Sequence, residues 1–143
     1  MPVKSLVKSF EVIDHTADVG IIAYGTDLKQ TFANAARGMF SLITNLGRIR
    51  AIQSREVNVK SAGKENLLVA WLNELIYLFD TENILAKKID INELDDEHLV
   101  AVVSGEKLDK ARHQIKRGIK ATTYHMLEIK YDGGYRARVI FDI

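Results

Sequence analysis

A chain of 143 residues, 47% apolar and 27% charged, has the length and composition of one globular domain. The absence of cysteine excludes disulfides, thiolate-bound zinc, iron–sulfur clusters and a thiol nucleophile, and leaves oxygen and imidazole groups for any metal ion. A net charge of +1 excludes polyanion binding by bulk charge, although the charges are unevenly placed along the chain.

Ser9 to Asp14 reads as a short strand and Val19 to Tyr24 as a second, rich in β-branched and aromatic residues. Between them lies the polar turn Asp14-His15-Thr16-Ala17-Asp18. Thr26 is expected to cap a helix that starts at Asp27 and runs to about Thr44. Leu28, Phe32, Ala35, Ala36, Met39, Phe40 and Ile43 recur at spacings of three and four and form its apolar face. Asn45 and Gly47 supply the stop. The stretch from Ile49 to Lys60 alternates weakly and ends as a strand. After the turn Ser61-Ala62-Gly63, a second helix is expected from Glu65 to about Thr81. Its stripe of Leu67, Leu68, Trp71, Leu72, Leu75, Ile76 and Phe79 belongs to a core.

Ile84 to Ile91 and Leu99 to Ser104 read as strands joined across an acidic turn, since five of the eight residues from Asp90 to Glu97 are acidic. Gly105 to Arg117 is poorly periodic. Six Lys or Arg between Lys107 and Lys120 face Asp109 alone, so this segment is either a solvated loop or a contact for phosphate or an acidic partner. Ile119 to Thr123 and Met126 to Tyr131 read as strands. Asp132-Gly133-Gly134 is a hairpin turn, and Tyr135 to Asp142 closes the chain as an alternating strand. The order β-β-α-β-α followed by a β-rich half predicts one α+β domain over residues 1–143. It would have antiparallel or mixed β-sheets with two long α-helices packed on one side. The start of the chain lacks a signal-peptide pattern, and no apolar run reaches membrane-span length, so a cytoplasmic protein without membrane association is expected.

No glycine-rich phosphate loop, His-Glu-x-x-His pair or Gly-x-Ser-x-Gly elbow is present, and His15, His98, His113 and His125 are scattered. Two polar features remain. The turn from Asp14 to Asp18 packs two carboxylates and an imidazole into five residues, though Asp14 and Thr16 could simply bond turn backbone. Phe141-Asp142-Ile143 follows an apolar strand directly, and is either a solvated end or a fixed anionic group. In Lys120-Ala121-Thr122-Thr123-Tyr124-His125, alternation sends Lys120, Thr122 and Tyr124 to one side. The segment is either an ordinary strand with a buried Tyr or His, or a face near a site or partner.

Together these segments resemble the archease family. The resemblance rests on Asp14-His15-Thr16-Ala17-Asp18-Val19, Phe32-Ala33-Asn34-Ala35-Ala36, Trp71-Leu72-Asn73-Glu74-Leu75, Lys120 to His125 and the closing Asp142-Ile143. It spans essentially the whole chain. It implies an accessory protein, not an enzyme. Such a protein activates an RtcB-type tRNA-splicing RNA ligase, promoting its guanylylation and multiple turnover, and meets RNA only through the ligase. It also implies a divalent-metal site with Asp18, Asp142 and Ile143 as ligands, the last through a main-chain or terminal carboxylate oxygen. Calcium is the first expectation, with magnesium or manganese as alternatives. Asp14, His15, Lys120, Tyr124 and His125 would neighbour that site or touch the partner. Two carboxylates about 4 Å apart repel by roughly 4 kcal/mol at an effective dielectric of 20. Such a cluster therefore needs a cation, a proton or strong hydrogen bonds, and oxygen donors suit hard metals. The competing readings are a stand-alone metal-dependent enzyme acting on RNA or nucleotides, with His15 or His125 as base, and a chaperone-like or RNA-binding module. Near-neutral net charge argues against the last as a general RNA binder.

Overall fold

The computed structural model describes residues 9–14 and 18–143. In chain order the elements are β1 (Phe10–Asp14), β2 (Val19–Gly25), α1 (Leu28–Ile43), β3 (Gln53–Lys60), α2 (Lys64–Glu82), β4 (Ile84–Leu94), β5 (His98–Lys107), β6 (Ala121–Thr122), β7 (Glu128–Tyr131) and β8 (Tyr135–Asp142). A 3-10 turn at Leu46–Arg48 links α1 to β3. The expected α+β class is observed, and all the described strand pairs are antiparallel.

The strands form two sheets. One runs β1-β2-β8-β6, with β7 sharing the far edge of β8; the other runs β3-β5-β4. Alternation along β2 and β8 sends Val19, Ile21 and Ala23, and Ala137, Val139 and Phe141, into the core, all 0% exposed. Helix α1 packs against β2 of the first sheet and β4 of the second, so its apolar stripe joins both sheets in one hydrophobic cluster. The indole N–H of Trp71 in α2 donates to the carbonyl of Phe32 in α1 (3.0 Å). This satisfies a buried polar group and ties the helices together.

The start of α1 differs from expectation by one residue. Asp27, not Thr26, is the N-cap: its Oδ1 accepts the Gln30 N–H at 2.8 Å, while the Gln30 side chain accepts from the Thr26 N–H. This reciprocal pairing resembles a capping box displaced by one residue. The acidic run also differs. β4 continues through it to Leu94, because Ile89 and Ile91 still turn toward the core while Asp90 and Glu93 face solvent. At Gly105 a Cβ would lie 1.8 Å from the carbonyl oxygen of Leu85, so β5 crosses β4 here only without a side chain.

The basic segment after β5 is not a freely solvated loop. Its main chain is tied to the C-terminal end of α1. Lys116 N–H donates to Ile43 O (2.7 Å), and the Thr44 hydroxyl donates to Gln114 O (2.7 Å). His113 is buried.

Candidate functional site

The end of the first sheet is where distant segments of sequence meet. β1, β2, β8 and β6 all present a terminus there, and one row across the sheet reads Asp14–Val19–Phe141–Thr122. Val19 and Phe141 are fully buried, which fixes this row on the core face. The register therefore cannot slip by one residue without exposing the whole apolar set. One residue further out, Ala121 stands opposite Asp142 on β8, and continuing the β2–β8 register places Asp18 opposite Asp142. Directly opposed residues of an antiparallel pair point to one face, with Cβ atoms about 4.5–5.5 Å apart. Asp18 and Asp142 thus share the outer face at the sheet's end. Asp18 is half-buried and Asp142 exposed.

Two contacts hold Asp142 in place. The Lys120 N–H donates to its carbonyl at 2.8 Å. The Asn73 side chain on α2 accepts the Thr122 N–H at 2.8 Å, docking β6 beside β8. Asn73 was missed as a positioning residue. Its signal was its place in Trp71-Leu72-Asn73-Glu74-Leu75, a polar residue flanked by core positions. Lys120 contributes its main chain to the site, while the side chain is exposed.

The other expected residues fall differently. Asp14 is exposed and lies in the row whose partner Val19 faces the core, on the opposite face from Asp18 and Asp142. His15 lies outside the described residues. β6 is only two residues long, so the alternation expected through His125 stops at Thr122. Thr122 is buried, whereas Tyr124 is 60% exposed and His125 also faces solvent. Neither Tyr124 nor His125 is the buried residue of an ordinary strand. The chain leaves the sheet after Thr123, whose N–H and hydroxyl both donate to Ile140 O (2.9 Å each), and turns at Met126 with φ 55°. Ile143, beside Asp142, is 43% exposed. Among the described residues no three His, Asp or Glu side chains gather as a ready metal cage.

A second polar cluster was not foreseen. Glu106 is buried at the end of β5 and accepts the Arg50 N–H (2.7 Å), the Arg112 guanidinium and the His113 Nε2–H (3.0 Å). The Asp109 N–H donates to His113 Nδ1 (2.9 Å), so the network assigns the proton to Nε2 of a neutral imidazole. Burial pushes the Glu106 carboxyl up. Hydrogen bonds from Arg112, the Arg50 main chain and His113 outweigh that and hold it down at about 2. No spacing in the sequence marks these groups as partners, because they converge from the end of β5, the segment after it and the stretch before β3.

An α+β domain of two antiparallel sheets bridged by a helix defines the structural class. Comparison supplies the family. Residues 10–143 match the family model described as "Archease protein family (MTH1598/TM1083)". A protein archease of Methanothermobacter thermautotrophicus is 43% identical over 141 residues, covering 96% of this chain and 100% of that protein. A protein archease of Methanosarcina acetivorans is 40% identical, covering 95% and 97%. The solution structure of Methanobacterium thermoautotrophicum protein 1598 superimposes with a TM-score of 0.81 at 42% identity, covering 96% and 100%. An archease of Thermotoga maritima, described as a possible chaperone, shares the fold with a TM-score of 0.64 at 22% identity, covering 92% and 94%. This chain belongs to the archease family.

Proposed function

We propose that the chain is an activator of an RtcB-type RNA ligase, and that the Asp18–Asp142 end of the first sheet is its working surface, holding a divalent cation. The observation that carries this reading is the β2–β8 register, in which Val19 stands opposite Phe141, so that its continuation by one residue would set Asp18 opposite Asp142. Two carboxylates held side by side repel unless a cation, a proton or strong hydrogen bonds lie between them. Their oxygens suit a hard ion such as calcium, magnesium or manganese. Ile143 would add a main-chain oxygen.

Calcium takes six to eight oxygen ligands, more than two carboxylates and a main-chain oxygen supply. Such a site keeps positions open for water or for groups of a partner. Asp18 and Asp142 would hold the cation, which would supply the neutralisation of phosphate charge that nucleotidyl transfer to a ligase requires. The chain's own part is positional. The Lys120 N–H and the Asn73–Thr122 bond hold Asp142 beside Asp18, so the open face is presented without rearrangement.

The test is ligase guanylylation with GTP, with and without this protein. Asp18→Asn and Asp142→Asn are expected to remove stimulation while leaving the thermal transition within a few degrees of wild type. Full stimulation by both variants would refute the site. The protein alone, incubated with GTP, cation and broken RNA, should show no turnover.

A further inference from the structure

We propose that the far end of the β4–β5 hairpin, built over by the 3-10 turn and the segment after β5, binds the phosphate backbone of a nucleic acid. The acidic and basic residues of this chain are sorted to opposite ends of that hairpin. At one end Leu94 pairs with Leu99 and the turn between carries Asp95, Asp96 and Glu97; at the other Ile84 pairs with Lys107. Ten residues of strand separate the ends by about 30 Å. The Debye length at physiological salt is about 8 Å, so a polyanion at one end responds to local charge and not to the molecular total. Segments 46–50, 84–87 and 106–117 carry eight Lys and Arg against two acids. The net charge of +1 averages these two ends away.

The fold builds this surface deliberately from three segments. A β-bulge between Ala86 and Lys88 takes Lys87 out of register, and its Nζ donates to Leu46 O at 2.9 Å. Arg112 and His113 both reach Arg48 O, fastening the post-β5 segment to the 3-10 turn. The two acids are already engaged. Glu106 is enclosed by Arg50, Arg112 and His113, and Asp109 bonds the Ala111 N–H and pairs with Arg112. Lys107 feels Glu82, but Arg55 holds that carboxylate by two hydrogen bonds. Lys110 and Lys116 are exposed and form no ion pair among the described residues.

Lysine is depleted in protein–protein interfaces, whereas nucleic-acid interfaces are polar and strongly positive. That chemistry favours a phosphodiester chain over an acidic polypeptide. This assignment is independent of the Asp18–Asp142 site.

The experiment is fluorescence anisotropy of a labelled single-stranded RNA with the intact protein alone, from about 50 to about 200 mM salt. Each phosphate neutralised adds roughly 0.7 to the slope of log affinity against log salt. The double variant Lys110→Gln/Lys116→Gln is expected to bind more weakly and to lower that slope by about 1.5. Glu93→Gln/Asp96→Asn at the acidic end should leave the slope unchanged, and all variants are checked by thermal melting. Absence of binding near 50 mM salt, or a slope indifferent to the lysine substitutions, overturns the proposal. Poly-L-glutamate displacing the RNA equally well per charge also overturns it, in favour of an acidic polypeptide.

Discussion

Glu106→Gln keeps the shape of the side chain and removes its charge, and the consequences can be worked from the network. In the folded protein the Glu106 carboxyl is held at about 2, against an ordinary value of 4.5. A depressed carboxylate stabilises the fold fully above the unfolded value, and loses that contribution as pH falls through the folded one. A depression of this size corresponds to about 3 kcal/mol. Unfolding entropy for a chain of this length is about 0.3 kcal/mol per degree, so the variant should melt about 10 °C lower near neutral pH. Circular dichroism melts of both proteins across pH check this. The gap should be complete above about pH 5 and fall below half of its size near pH 3, because the wild-type carboxylate is by then losing its advantage. A gap equally large at pH 3 and pH 7 would show that shape, not charge, holds the cluster. No gap at neutral pH would refute the network altogether.

Gly105→Ala places a methyl group against the Leu85 carbonyl, a backbone atom that cannot swing aside; it should cost more than about 3 kcal/mol in denaturant titration, or prevent folding. Asp27→Ala removes the oxygen that accepts the Gln30 N–H and should lower stability by about 1 kcal/mol, read as a melting shift of about 3 °C. Calcium at about a hundred times its dissociation constant should raise the wild-type melting temperature by about 9 °C, corresponding to about 2.7 kcal/mol, and chelator should reverse it. Asp142→Asn should lose most of that response.

Much of the secondary structure was legible because its causes are local. The three-and-four spacing from Leu28 to Ile43 depends on neighbours one turn away, and the alternation from Tyr135 to Asp142 on neighbours two residues away. The cap of α1 was misplaced by one residue because Thr26 and Asp27 both carry a suitable oxygen, and only the backbone angles choose between them. β6 was read too long because β propensity in Ile119 to Thr123 says nothing about how far a partner strand extends. No helix among the described residues is long and apolar enough to cross a membrane.

By itself the sequence determined the α+β class, both long helices, the closing hairpin and the candidate acidic residues, since residue type and short-range period carry that information. Only tertiary structure decided that β2 lies beside β8, with Val19 opposite Phe141, and that Glu106 draws Arg50, Arg112 and His113 into one buried cluster. These pairings close long loops. Their free energy comes from apolar surface shared by strands far apart in the chain, which leaves no period in the sequence to read.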